Sequence, residues 1–174
     1  MERKVAELEL GLFTSGYQRY PLEQAFEDAS RFGYDYIELW GGYPHAYVED
    51  LTVRGVGEID RLVQKYRMPV KCFTPEHNGY PFNYMAGDEF QWERSMVYLE
   101  KAIELTATMG APMMLFSAGH AGYQMTGREI EERLQKSLER LTAKAEKQKV
   151  KLILEPLTIY ESNVITSLND LERA

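Results

Sequence analysis

The apolar residues of this chain change their spacing several times, and the changes come in a fixed order. A short β-favouring run is followed by a stretch with apolar positions three and four residues apart, and then by another short run. Residues 7–13 read as a strand. Pro21 opens a helix whose Leu22, Ala25, Phe26, Ala29 and Phe32 share one face, and Gly33 stops it. Residues 34–40, with Ile37 and Leu39, read as a second strand. Ile59, Leu62, Val63 and Tyr66 mark a second helix, and residues 69–74 a third strand. Asp88 with Gln91 has the spacing of a capping box. It precedes a long helix carrying Trp92, Met96, Leu99 and Ile103 and ended by Gly110. A fourth strand covers residues 113–117. A second capping-box pair, Thr126 and Glu129, precedes a helix with Ile130, Leu134, Leu138, Leu141 and Ala145. Residues 150–155 read as a fifth strand and residues 169–174 as the start of another helix.

A strand–helix unit repeated about four times, then a strand and a partial helix, predicts parallel strands with right-handed helical crossovers. Two folds are built this way: an open doubly wound sheet and a closed (β/α)8 TIM barrel. The first usually carries a Gly-rich phosphate turn after its first strand. Here that strand leads into Thr14-Ser15-Gly16-Tyr17-Gln18, with no GxGxxG, which favours the α/β TIM barrel. A closed barrel needs eight strands and about 250 residues. Residues 1–174 are therefore expected to be the N-terminal portion of a single TIM-barrel domain, with five strands and about four helices. No linker-like tract divides them.

Lys and Arg number 20 against 27 Asp and Glu, a net charge of −7, so there is no basic surplus for holding nucleic-acid phosphates. No apolar run is long enough to span a bilayer. The single cysteine, Cys72, rules out an internal disulfide and a CxxC metal ribbon, and inside a strand it reads as a small buried hydrophobe. The first residues do not have the form of a signal peptide, and the expected location is cytoplasmic.

In either fold, ligands bind beyond the carboxyl ends of the strands. Glu155 closes the apolar run Leu152-Ile153-Leu154 and precedes Pro156, so its carboxylate is expected at the barrel mouth, partly withdrawn from water. It is either a hard oxygen donor to a divalent cation or the partner of an Arg or Lys on the rim. Glu38, inside its strand, reads as a satisfied polar anchor. Glu161, six residues after Glu155, either turns back to a hydroxylated ligand or is a solvated loop residue. His120 and Tyr123 lie in the small-residue loop Ser117-Ala118-Gly119-His120-Ala121-Gly122-Tyr123, where a ligand can approach closely. Trp40 and Glu76, at the ends of the second and third strands, complete the candidate ligand contacts. His45 and His77 are weaker candidates, in loops that either wall a pocket or pack the rim. No phosphate loop, GxSxG elbow or HExxH is present.

Several segments together carry a resemblance: Gly11-Leu12-Phe13-Thr14, Gln18-Arg19-Tyr20-Pro21, Ile37-Glu38-Leu39-Trp40-Gly41-Gly42, Thr74-Pro75-Glu76, Asn78-Gly79-Tyr80-Pro81, His120-Ala121-Gly122-Tyr123, and Leu154-Glu155-Pro156-Leu157-Thr158 with Tyr160-Glu161-Ser162-Asn163. The chain resembles the xylose isomerase-like TIM barrels, a family of sugar isomerases and epimerases, over essentially its whole length. The resemblance implies metal-dependent C3 epimerisation of a ketose-type sugar through a cis-enediolate. One divalent ion (Mn, Co, Ni or Mg type) would be held by Glu, Asp, His and Glu at the ends of the last four barrel strands. By motif, Glu155 matches the strand-five ligand that is also an acid/base, and Glu161 the Glu that touches substrate oxygens. The other ligands and the second acid/base would fall after residue 174. The ion is thus expected to be incompletely ligated here, and the fragment inactive alone. The expected partners are a small sugar or sugar-amine and further copies of the chain, with no nucleic acid or membrane. The rival readings are an isomerase or epimerase of another sugar and a non-catalytic half-barrel.

Overall fold

The computed structural model describes residues 8–174, and within them the alternation is realised as five parallel strands in the order β1-β2-β3-β4-β5. The strands are β1 (Gly11–Phe13), β2 (Tyr36–Gly41), β3 (Val70–Pro75), β4 (Met113–Ser117) and β5 (Lys151–Glu155). The helices are α1 (Leu22–Phe32), α2 (Val48–Arg54), α3 (Gly57–Tyr66), α4 (Glu89–Thr108), α5 (Gly127–Gln148) and α6 (Leu168–Arg173), with a 3-10 turn over Thr14–Tyr17. Every strand pairs only with its neighbours in sequence, Leu12 with Ile37, Leu39 with Phe73, Phe73 with Met114, and Ser117 with Glu155.

The helix ends follow local chemistry. Both capping boxes form: Asp88 accepts from the Gln91 N–H while Gln91 accepts from the Asp88 N–H, and Thr126 and Glu129 do the same. Gly33 closes α1 in the left-handed region at φ 75°, where its N–H reaches the Ala29 carbonyl.

The sheet has two unlike faces, as alternation along a strand requires. Ile37, Leu39, Phe73, Met114 and Phe116 are buried beneath the helices, against Phe26, Ile59, Leu62, Leu99, Ile103 and Leu141. Tyr36, Glu38, Trp40, Thr74, Leu115 and Ile153 alternate with them and are only half-buried. On the helix side of β5, Leu152 and Leu154 line a groove with Phe116 and Leu138. No helix among the described residues is long and apolar enough to cross a membrane.

Two expectations change. The described residues form six α-helices: the four read from the sequence, the partial helix expected from residue 169, and one more. The added α2 is a seven-residue helix with only Val48 and Leu51 buried, too short for its period to stand out. The first strand is shorter than residues 7–13, since its ladder begins at Gly11. The Leu10 N–H is taken by the Asp35 carboxylate at 2.7 Å instead, and Glu7 lies outside the described residues.

Candidate active site at the carboxyl ends of the strands

The carboxyl ends of the five strands and the loops that follow them lie at one end of the sheet, and they hold every candidate residue. Glu155 ends β5 opposite Ser117 of β4. Its carboxyl lies above its ordinary range, first because the surrounding wall removes water, and then because the Glu38 and Glu161 carboxylates face it. The residue is nevertheless open to solvent on one side, and no Lys or Arg forms an ion pair with it. The rim-paired alternative for Glu155 is therefore not realised among the described residues. Glu38 is half-buried and accepts from Thr74 Oγ1 at 2.8 Å, as a polar anchor should. Cys72, on the same strand as Thr74, is buried, and burial pushes its thiol up to about 11, which keeps it protonated and inert.

Glu161 is exposed on the β5–α6 loop. Its carboxylate is fixed by the Thr158 hydroxyl at 2.7 Å and the Thr158 N–H at 3.3 Å. The two residues after it clamp this loop to the β4–α5 loop. Ser162 is buried, donates to the Gly119 carbonyl at 2.5 Å and accepts from the Val164 N–H. Asn163 pairs both ends of its amide with the Ala121 backbone, at 2.8 and 3.2 Å. His120 sits inside that clamped loop. Its Nδ1–H donates to the Ala121 carbonyl at 2.8 Å, which makes Nε2 the acceptor nitrogen, and Tyr123 meets its ring edge-on at 5.1 Å.

On the other side of that end, the half-buried Trp40 donates its indole N–H to Glu76 at 2.7 Å. The indole lies where a Cβ on Gly42 would stand, 2.2 Å from the ring, so only glycine fits beneath it. Gly42→Ala is expected to push the indole out and release Glu76. In a Trp92→Phe background, leaving Trp40 as the sole tryptophan, the change reads as a shift in fluorescence maximum with little change in far-UV dichroism.

The rim is aromatic. The exposed tyrosines among the described residues number five, Tyr20, Tyr43, Tyr80, Tyr123 and Tyr160, and each belongs to a different strand-to-helix loop. His45 ties two of these loops, its Nε2–H donating to the Tyr20 carbonyl at 2.8 Å.

His77 and Asn78 do more than sequence spacing suggests. His77 Nε2 accepts from the Ser117 N–H at 3.3 Å, Asn78 donates to Ser117 Oγ, and the buried Tyr84 hydroxyl donates to the Ser117 carbonyl at 2.9 Å. The end of β4 is thus held on three sides, next to Glu155. Burial pushes His77 down to about 4. In the unfolded chain it takes a proton near pH 6.5, so the unfolded state binds more protons between about 6.5 and about 4. Stability due to His77 is intact above 6.5 and is lost as pH falls to about 4, by about 3 kcal/mol in all. His77→Gln, which keeps an acceptor without titrating, is expected to flatten the fall in melting temperature over that window.

A metal site needs several converging donors. Among the described residues no three His, Cys, Asp or Glu side chains come together as a ligand set. Glu155 is a single hard donor, and the residues present do not by themselves fit a divalent ion.

The profile of the xylose isomerase-like TIM barrel family matches residues 26–174. The chain belongs to that family. It is 47% identical over 167 residues to a fructoselysine 3-epimerase of Shigella flexneri, a match covering 96% of this chain and 60% of that protein. The chain thus spans about 60% of the length of the curated relative it matches. Two solved structures share its fold at low identity. The 3-keto-D-glucoside 4-epimerase YcjR of E. coli aligns with a TM-score of 0.79 at 18% identity, covering 96% of this chain and 63% of that one. A D-allulose 3-epimerase of Methylomonas aligns with a TM-score of 0.74 at 18% identity, covering 95% and 57%. Membership gives the five-stranded parallel sheet its context as part of a TIM barrel.

Proposed function

We propose that these 174 residues form the N-terminal portion of one TIM-barrel domain, in a protein that epimerises a ketose-type sugar at C3, with fructoselysine as substrate and psicoselysine as product. The observation that carries this reading is Glu155: a carboxylate at the carboxyl end of β5, raised in pKa by burial and by Glu38 and Glu161, in a chain 47% identical to a fructoselysine 3-epimerase. A general base works best with a pKa near the operating pH, and a carboxylate moved upward approaches it.

In this reading Glu155 takes the proton from C3, beside the C2 carbonyl. The electron pair moves into a cis-enediolate, and a proton returned to C3 from the opposite face inverts that centre. Atoms are conserved, and no oxidant or co-substrate is needed. Glu161, fixed by Thr158, accepts from substrate hydroxyls. His120, Tyr123, Trp40 and the carboxylate of Glu76 line the remaining contacts, with the exposed tyrosines as apolar platforms. Glu155 would give a divalent ion of the Mn, Co, Ni or Mg type one hard donor, and such an ion would supply Lewis-acid chemistry there. The returning acid and further donors belong to barrel strands beyond these five. The 174 residues alone are accordingly expected to turn over nothing.

The test is exchange of the C3 proton of fructoselysine with D2O, followed by NMR with and without Mn²⁺. It uses this chain and a chain extended to the relatives' length. Exchange by the extended chain, with psicoselysine formed, supports the reading. A folded, metal-loaded extended chain that exchanges D-allulose but not fructoselysine turns the assignment toward free ketoses, and no exchange with either overturns the epimerase reading.

A further inference from the structure

The two tryptophans of the chain have unlike surroundings. Trp92 is buried in the core, with the Lys136 ammonium 3.6 Å and the Arg140 guanidinium 5.4 Å from its ring centroid. Trp40 is half-buried at the strand ends, and among the described residues no ring and no cation is stacked on it. An indole face attracts a cation more strongly than any other side-chain ring does. Beside this one stands a carboxylate. Glu76 is exposed, accepts the Trp40 indole N–H through Oε2, and makes no ion pair among the described residues. A carboxylate at the indole N–H polarises the ring toward greater electron density. The pair thus offers a π face and a negative oxygen side by side, neither with a positive partner.

Its position relates it to the reacting carbon. Trp40 and Glu38 share one face of β2, and Trp40 lies two residues, about 7 Å, nearer the carboxyl end. Glu38 in turn faces Glu155. The pair therefore stands on the mouth side of the carboxylates where the sugar carbon would react. Charge around that mouth is one-sided. Of 20 Lys and Arg, Arg19 alone falls in the segments that follow the five strands, 14–21, 42–47, 76–88, 118–126 and 156–167. A phosphorylated or acidic sugar would bring its charge against Glu38, Glu76, Glu155 and Glu161 with little to neutralise it. A neutral ketose leaves the Trp40–Glu76 pair unused. A ketose with an amine on C1 uses it, because the nitrogen is protonated at neutral pH and any arm it carries must leave through the mouth.

We propose that Trp40 and Glu76 form a subsite for an ammonium group on C1 of the ketose, so that the site selects a cationic 1-amino-1-deoxyketose over neutral ketoses and sugar phosphates. The proposal rests on the epimerase reading above, which sets the sugar at Glu155. The ammonium lies over the indole and donates to Glu76, a charge-assisted contact that only an amine sugar makes. Glu76 is a specificity-determining residue in this arrangement and takes no part in proton transfer.

The test is isothermal titration calorimetry at pH 7 on the Mn²⁺-loaded chain extended to the relatives' length. The ligands are fructoselysine, D-fructose and 1-deoxy-1-methylamino-D-fructose, which keeps the amine without the lysyl arm. Both amine sugars are expected to bind more tightly than D-fructose. Glu76→Gln can still accept from the indole N–H but carries no charge, and it is expected to cut that preference about 30-fold for both amine sugars. Trp40→Leu is expected to cut it about 10-fold, with far-UV dichroism verifying that both variants fold. Three results would overturn the subsite. One is a parent with no preference for amine sugars. Another is a Glu76→Gln variant that weakens D-fructose as much as the amine sugars, which marks a hydroxyl contact or a structural role. The third is a loss with fructoselysine but not with the methylamino sugar, which moves the contact to the α-ammonium of the lysyl arm. Binding and C3 exchange separate the two readings: a preference lost in Glu76→Gln without any exchange overturns the epimerase alone, and exchange without a preference overturns the subsite alone.

Discussion

Glu155→Gln is expected to abolish C3 proton exchange in the extended protein, by about 10³-fold or more, and to raise the melting temperature of this chain at pH 7. Both follow from one fact: the carboxylate is held above its usual range by burial and by its two acidic neighbours. A carboxyl whose folded pKa is raised is more costly to ionise in the native state than in the unfolded one, so removing its charge stabilises the fold where it would be ionised. The gain should shrink as pH falls through the carboxylate range, because the parent side chain is then neutral as well. Thermal melts of parent and variant at pH 7 and pH 4 check the second half without any turnover. A variant that loses exchange and also loses stability at pH 7 would point to a structural carboxylate and against Glu155 as the base.

Arg133→Ala is the largest stability loss expected from a single side chain outside the apolar core, about 3 kcal/mol, or roughly 9 °C in melting temperature. The guanidinium donates to four backbone carbonyls, those of Tyr84 at 2.8 Å, Gly87 at 3.0 Å, Asp88 at 3.2 Å and Ala86 at 3.4 Å. It fastens the end of the β3–α4 loop to α5. Truncation removes the guanidinium from all four, leaving the Asp88 carbonyl only its Trp92 N–H, and Arg133→Lys recovers only part, because an ammonium cannot present a planar fork. Urea denaturation of the three proteins measures the difference. The same loop supplies His77, Asn78 and Tyr84 to Ser117, so loosening should spread to the end of β4.

Much of this was readable from local signals. The two capping boxes name their own helices because donor and acceptor are three residues apart. Glu155 and Glu161 stand out because a carboxylate beside an apolar strand needs a reason. The contacts of Arg133, His77 and Asn163 do not announce themselves, since their partners are 40 or more residues away. An Arg in an amphipathic helix looks like any solvated residue until the loop arrives. His77 was a weak candidate for the same reason, as its burial is produced by residues elsewhere in the chain.

The strand order carries a consequence for how the molecule comes into being. Each strand hydrogen-bonds only to the one made just before and the one made just after it. Among these five strands a nascent chain need not wait for a distant segment: once β2 has emerged, β1 has a partner on that side, and the next unit docks on an edge already in place. Ribosomes add about 5–20 residues per second, so a unit of this size emerges within seconds, whereas closing a loop takes far less time. Assembly can keep step with synthesis, and the advancing edge at any moment is the strand most recently made.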